Sequence, residues 1–441
     1  APGDTSPPGA SLGAAGQAGA ARSTGTADLS ASAGRAAAGS PGAAAGRRGA
    51  APASTAPARA GAGSAGGASG SAAAPAAPVR SPVVVGSVGN YSGPAGNSQA
   101  PGAVALQVFA RYVNDRGGVA GHPVKVIVVD DGGDPARHQA AIKDLVENHG
   151  VLAFVANLAS LTAPSARGYL EQKQVPVIGG EVSTPIWFDS PMFFPQGPNY
   201  KSLIRGMALA GKRLSGGKVK LGAMTCQEAE VCNNVDKWLF DEKFGQQAGL
   251  QPVYRGRISL TQPDFTAECL SARNAGVELL NVTGDPNTVG RVAASCDRQG
   301  YHPIFLQHSA TVDNGTANAA GGRFKALLVT LTFPWVATGT PALDEYQAAM
   351  RAYKTSPSAA TSMGWASAKL FARAAAALGE PPTRAQLLEG LYSLRDETLG
   401  GLTVPLNFRR GAPAVDSGCW FVLQAGEGRW QAPQQAAPGC P

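Results

Sequence analysis

Residues 82–96, PVVVGSVGNYSGPAG, and residues 122–135, HPVKVIVVDDGGDP, decide how this chain folds. The first reads as a buried strand, Val83 to Val88, running into a Gly-rich loop. Between the two stretches, Ala103, Leu106, Ala110 and Val113 recur at helical spacing, and Gly117 and Gly118 end the helix. The second stretch is another apolar strand. It closes on Asp134 followed by Pro135, a side chain that caps a helix and a ring that fits its first turn. Strand, helix, strand, helix is the grammar of βαβ units around a parallel sheet.

The same alternation continues outward. VLAFVANLAS (151–160) and VPVIGGEVS (175–183) read as third and fourth strands, separated by a helix over about 163–172. After FFPQGPNY (193–200) a second series begins. Its strands are VKLGAMT (219–225), QPVYRGRIS (251–259), ELLNVTG (278–284), PIFLQHS (303–309) and ALLVTLTF (326–333). Helices are expected over 233–244, 264–275 and 288–299, then over 342–354, 361–378 and 383–391, before β segments at VPLNF (404–408) and CWFVLQ (419–424). The two series echo each other without a fixed period, which excludes a solenoid. The fold class is α/β, with two Rossmann-like lobes on parallel-core sheets.

Residues 1–80 are almost entirely Ala, Gly, Ser, Pro and Thr, with no aromatic residue. Such a segment cannot bury enough apolar surface to offset the entropy of ordering it, so a disordered tail is expected. The formal charge of +7 is shared between this tail, at +4, and the body, at +3. No basic stripe interleaved with aromatics appears in the body, so a nucleic-acid partner is not expected. The chain begins with Ala and has no apolar run of bilayer length, which fits an exported form that has lost its signal. Six cysteines, none in a C-x-x-C pair, point to disulfides rather than zinc. A sequential pairing, Cys226 with Cys232, Cys269 with Cys296 and Cys419 with Cys440, suits a short loop at a strand end, two consecutive helices on one sheet face, and a pinned C-terminus. Free buried thiols are the alternative.

Motifs for catalysis are missing. GSVGNYSG (86–93) has the wrong glycine spacing for a dinucleotide loop, DDGGD (130–134) lacks the ligand spacing of an EF-hand, and no G-x-S-x-G elbow occurs. Neither a cofactor nor a metal is expected, and the chain reads as a binder rather than an enzyme. Residues at the C-terminal ends of strands are the candidate ligand contacts, because open α/β sheets bind there. Ser160 and Thr162 follow the third strand, and Ser183 and Thr184 the fourth; hydroxyls and free N–H groups at such turns hold a carboxylate or cap a helix. Asp285 is either the cap of the helix opening at Pro286 or a ligand contact. His308 is either a structural histidine or a site residue.

The order of these motifs resembles the type I periplasmic binding proteins of the branched-chain amino acid branch, receptors of ABC uptake systems. The resemblance spans about 82–430. It is carried by VGSVGNYSGPAG (85–96), YVNDRGGVAGHPVKVIVVDDGGDP (112–135), VANLASLTAPSA (155–166) and VPVIGGEVSTP (175–185). It implies two lobes, 82–198 plus 336–397 and 199–335 plus 398–432, with 433–441 tied back by Cys440. Three crossovers, near 195–200, 332–335 and 398–405, would form the hinge. It further implies a monomeric, secreted or envelope-associated protein tethered through its tail, with a small-molecule ligand and a membrane permease as partners. Ser160 and Ser183 match the family's contacts to a carboxylate, and Tyr91 and Ser92 match its first cleft loop. The second lobe departs from the pattern: TGDPN (283–287) puts Asp285 where an aromatic is usual, and FLQHS (305–309) puts His308 and Ser309 where a Glu usually meets an ammonium. Either Asp285 supplies the negative partner or the ligand is an acid, amide or other polar compound without an ammonium. Trp335 and Trp365 are candidates for apolar walls. A ligand-sensing domain of the same fold and a secreted hydrolase are the rival readings.

Overall fold

The computed structural model describes residues 80–93 and 96–441; the tail expected over 1–80 lies, Arg80 apart, outside the described residues. Five strands form a first sheet: β1 (Val83–Gly89), β2 (Val124–Asp130), β3 (Ala153–Asn157), β4 (Val177–Gly180) and β5 (Phe193–Phe194). They run parallel in the order β2-β1-β3-β4-β5. The strands β1, β3 and β4 are apolar nearly throughout and buried, as strands covered on both faces must be. The helices α1 (Gly96–Asn114), α2 (Pro135–Glu147), α3 (Arg167–Lys173) and α4 (Ile186–Asp189) connect them. Asp134 caps α2 as the sequence predicts, its Oδ1 accepting the N–H groups of Ala136 at 2.7 Å and Arg137 at 3.1 Å.

The second sheet has the order β12-β11-β10-β9-β8-β6-β7. Its parallel core is β6 (Lys220–Cys226), β7 (Gln251–Ile258), β8 (Leu279–Thr283), β9 (Ile304–His308) and β10 (Lys325–Thr330). The strands β11 (Phe421–Gly426) and β12 (Arg429–Gln431) add an antiparallel edge. The helix α5 (Tyr200–Leu214) packs on β9 and β10, and α6 (Glu230–Asp236), α7 (Phe244–Gln247), α8 (Thr266–Asn274) and α9 (Pro286–Arg298) complete the connections. Where one helix is expected over 233–244, the chain forms α6, a wide turn at Lys237–Asp241 and the short α7. VPLNF is no strand: only Leu406 pairs, with Glu397, because Pro405 lacks a ladder donor. All six cysteines are bonded in the sequential pattern, with S–S distances of 2.00, 2.03 and 2.09 Å.

Three more helices, α10 (Pro341–Ala352), α11 (Ala359–Ala374) and α12 (Arg384–Tyr392), return to the first sheet, with α11 against β3, β4 and α1. The approach of α11 to α1 needs glycine at the crossing: a Cβ on Gly364 would lie 2.2 Å from the carbonyl oxygen of Gly102. The chain therefore passes between the sheets three times, after β5, after β10 and after α12. These passages touch. A Cβ on Gly197 would lie 2.6 Å from the carbonyl oxygen of Leu331, and the Phe333 N–H donates to Leu402 O at 3.1 Å.

Candidate functional site

Parallel sheets end in loops whose backbone groups are not used by the ladder, and here the ends of β3, β4, β6, β8 and β9 surround one cavity of about 130 Å3. A dry cavity of about 150 Å3 takes up benzene, so the space suits a small solute. Both sheets contribute to its lining, Ser160, Glu181 and Ser183 from the first and Cys226, Thr283, Asp285, His308 and Thr311 from the second.

The first wall rests on a buried polar network. Asn90, at the end of β1, donates to Asp131 at 2.7 Å and to the Thr162 hydroxyl at 3.0 Å, and accepts the Leu161 N–H at 3.0 Å. Asp131 also accepts from His138 and from Thr162, each at 2.7 Å. Burial pushes the Asp131 carboxyl up, but its bonds from His138, Thr162, the Gly133 N–H and Asn90 outweigh that and hold it at about 2. The network fixes the turn that presents Ser160, whose hydroxyl accepts from Gln99 at 2.5 Å.

Beside it, after β4, stands Glu181, only 2 % exposed. Its Oε2 accepts the Ser183 N–H at 3.0 Å and the Ser183 hydroxyl, while its Oε1 is buried without a hydrogen-bond partner among the described residues. Burial raises its pKa, and the two bonds from Ser183 only partly oppose that. The two donors at Ser183 that the sequence reserves for a ligand carboxylate are thus already taken by a carboxylate of the protein itself.

The second wall is held differently. The Cys226–Cys232 disulfide ties the end of β6 to α6 and itself lines the cavity. His308 is 1 % exposed, its Nδ1 lies 2.7 Å from the Tyr200 hydroxyl, and burial lowers its pKa to about 3, so it is neutral. Burial, with the charge of Glu181 adding to it, drives the Tyr200 hydroxyl well above its ordinary value. Asp285 caps α9: Oδ1 accepts the N–H groups of Asn287 at 2.9 Å and Thr288 at 3.2 Å, and Oδ2 accepts the Thr288 hydroxyl at 2.6 Å.

Of the residues singled out in the sequence, Ser160, Ser183, Asp285 and His308 meet in this cavity. Thr184 lines an adjoining hollow of about 160 Å3 that shares Ser160 and Ser183. Thr162 lies behind the wall in the Asn90 network. Tyr91 and Ser92 line a different hollow, with Asp313 and Ser358. Trp335 is fully buried beside a crossover, edge-on to Trp430 with centroids 5.5 Å apart, and Trp365 packs edge-on to Phe109 and Tyr346; neither lines the cavity.

A family model described as periplasmic binding protein matches residues 82–429. The chain belongs to the periplasmic binding protein family. Its fold is shared by solved binding proteins of low sequence identity. One is a branched-chain amino acid ABC transporter protein of Thermus thermophilus with bound valine, 18 % identical, TM-score 0.69, covering 81 % of this chain and 96 % of that one. Another is a fatty acid ABC transporter substrate-binding protein of Thermomonospora curvata, 20 % identical, TM-score 0.67, covering 80 % and 92 %. A third is the branched-chain amino acid binding protein LivJ of Streptococcus pneumoniae in complex with isoleucine, 15 % identical, TM-score 0.67, covering 80 % and 98 %. No curated protein matches. The family is one of non-enzymatic extracytoplasmic binding proteins, and among the described residues no helix is long and apolar enough to cross a membrane.

Among the residues of this binding protein's cavity that escape sequence reasoning are Glu181, Gln99 and Tyr200. Tyr200 opens a helix 108 residues before His308, and no local pattern links them. Gln99 lies on the face of α1 turned to the β3 turn. Glu181 did carry a signal, an acid set between two glycines and a buried valine at the end of an apolar strand.

Proposed function

We propose that this protein captures a small polar solute between two lobes, 82–198 plus 336–397 and 199–335 plus 398–432, and delivers it to the membrane permease of an ABC importer. The observation that carries the reading is the cavity itself, bounded by strand ends of both sheets, which three backbone passages join among the described residues. A ligand seated on the Ser160 and Ser183 side offers groups that only Asp285, His308 and their neighbours can meet, so binding favours the closed arrangement. Discrimination follows because a wrong ligand leaves buried polar groups unpaired. The solved relatives that hold valine and isoleucine support a solute of amino-acid size, and the one named for fatty acids leaves its chemistry open. The N-terminal tail serves in this reading as a tether at the cell envelope.

Thermal-shift screening of the full chain against amino acids, amines, carboxylates, amides and sugars tests the proposal. A stabiliser present at 100 times its Kd adds about 2.7 kcal/mol to the folded state. A panel without any stabiliser contradicts it.

A further inference from the structure

Among the described residues the cavity lining carries two acidic side chains, Glu181 and Asp285, and no Lys or Arg. Arg291, beside the Asp285 turn, lies outside this lining and is held there by its Nη2 donating to Leu260 O at 2.7 Å and the Thr288 hydroxyl at 3.0 Å and its Nε donating to Gln262 O at 3.2 Å. The two acids are not equivalent. Both oxygens of Asp285 are occupied by the first turn of α9. Glu181, which lines the cavity, has one oxygen held by Ser183 and the other buried without a partner among the described residues. His308 is neutral and Tyr200 keeps its proton, so nothing else in the wall offsets a carboxylate.

An anionic ligand placed here would meet a carboxylate already seated on Ser183, with no cation to balance either charge; two unbalanced charges in a buried site are costly. A ligand bearing a cationic nitrogen reverses the sign of that term and donates to a carboxylate oxygen that no protein donor meets; the unpartnered Oε1 of Gln99, in the same lining, is a neutral acceptor and does not balance the charge. We infer that Glu181 is the specificity-determining residue of this cavity and that its Oε1 receives a cationic nitrogen of the ligand, so that the solute is an amine, an amidine or an amino acid and not a simple carboxylic acid. The inference rests on the solute-binding reading above. It also moves the charged contact from Asp285, the residue the sequence suggests, to the opposite wall.

Isothermal titration calorimetry of the full chain against alkylamines, guanidines, α-amino acids, simple carboxylates and amides tests it. Binders are expected among the nitrogen cations. For the tightest of them, the analogue in which the amine is replaced by a methyl group should bind about 30-fold more weakly or worse to the unaltered protein. E181Q, which keeps the shape and the bonds from Ser183, should lose affinity for the amine by a similar factor. The analogue comparison stands even if the variant folds poorly. Binders drawn from carboxylates or amides, or an amine that ignores both changes, would overturn the assignment of Glu181 while leaving the solute-binding reading intact. Absence of any binder would overturn that reading and the assignment with it.

Discussion

The two walls of the cavity reach rigidity by different routes. The first is fixed from behind by a closed set of hydrogen bonds, Asn90, Asp131, His138 and Thr162, each with partners inside the fold. The second is fixed covalently by Cys226–Cys232, by the capping of α9 and by the Tyr200–His308 pair. The first wall can therefore hold a carboxyl group with one oxygen unmatched, because the four residues that fix its turn bond to one another and do not use Glu181. The lesson is that a polar network behind a site frees a side chain in front of it for a ligand.

Breaking the network should have the largest effect. Asp131→Ala leaves Asn90, His138 and Thr162 buried without their common acceptor, and a loss of about 3 kcal/mol is expected in urea unfolding. Acid tests the same group in the unaltered protein. The Asp131 carboxyl sits below its unfolded value near 3.9, so its contribution is complete above about pH 4 and disappears as the pH falls toward 2. His308 acts over a higher window: being held at about 3, it favours the folded state fully above about pH 6.5 and progressively less as the pH falls toward 3. His308→Gln should remove that part of the acid sensitivity, read as a flatter pH profile of the midpoint denaturant concentration.

On the second wall, replacing Cys226 and Cys232 together by Ser opens a short loop, and a loss of about 2 kcal/mol is expected from the unfolded chain alone. Ligand affinity should fall as well, since the bridge lines the cavity; unchanged affinity would mean that the wall is set by packing.

The smallest effect separates the walls most sharply. With its pKa raised, Glu181 weighs against the folded state once the pH exceeds its unfolded value near 4.3. Glu181→Gln should thus stabilise the ligand-free protein at neutral pH, and that gain should vanish below about pH 4. This is opposite in sign to Asp131→Ala, and a destabilised Gln variant at neutral pH would contradict the unpaired state of Glu181.

Much of this was legible in the sequence, for identifiable reasons. The strands β1, β3, β8 and β10 are runs of buried apolar residues, and Asp134–Pro135 and Asp285–Pro286 announce their helices by cap and ring. The cysteine pairing followed from which elements adjoin. By contrast β5, two residues long, and β12, three, are too short to show a period. The cavity was half legible: strand ends located Ser160, Ser183, Asp285 and His308, but which acid has a free oxygen depends on hydrogen bonds that spacing does not encode. Asp285 and Glu181 both follow apolar strands, but Asp285 is taken up by the cap of α9 while Glu181 is buried with one oxygen unpartnered.

The central claim, that ligand joins the two walls, is tested most directly by small-angle scattering of the full chain with and without the strongest stabiliser from the solute panel. A smaller radius of gyration on saturation is the result expected from closure around the three passages. An unchanged profile with the ligand demonstrably bound would contradict it.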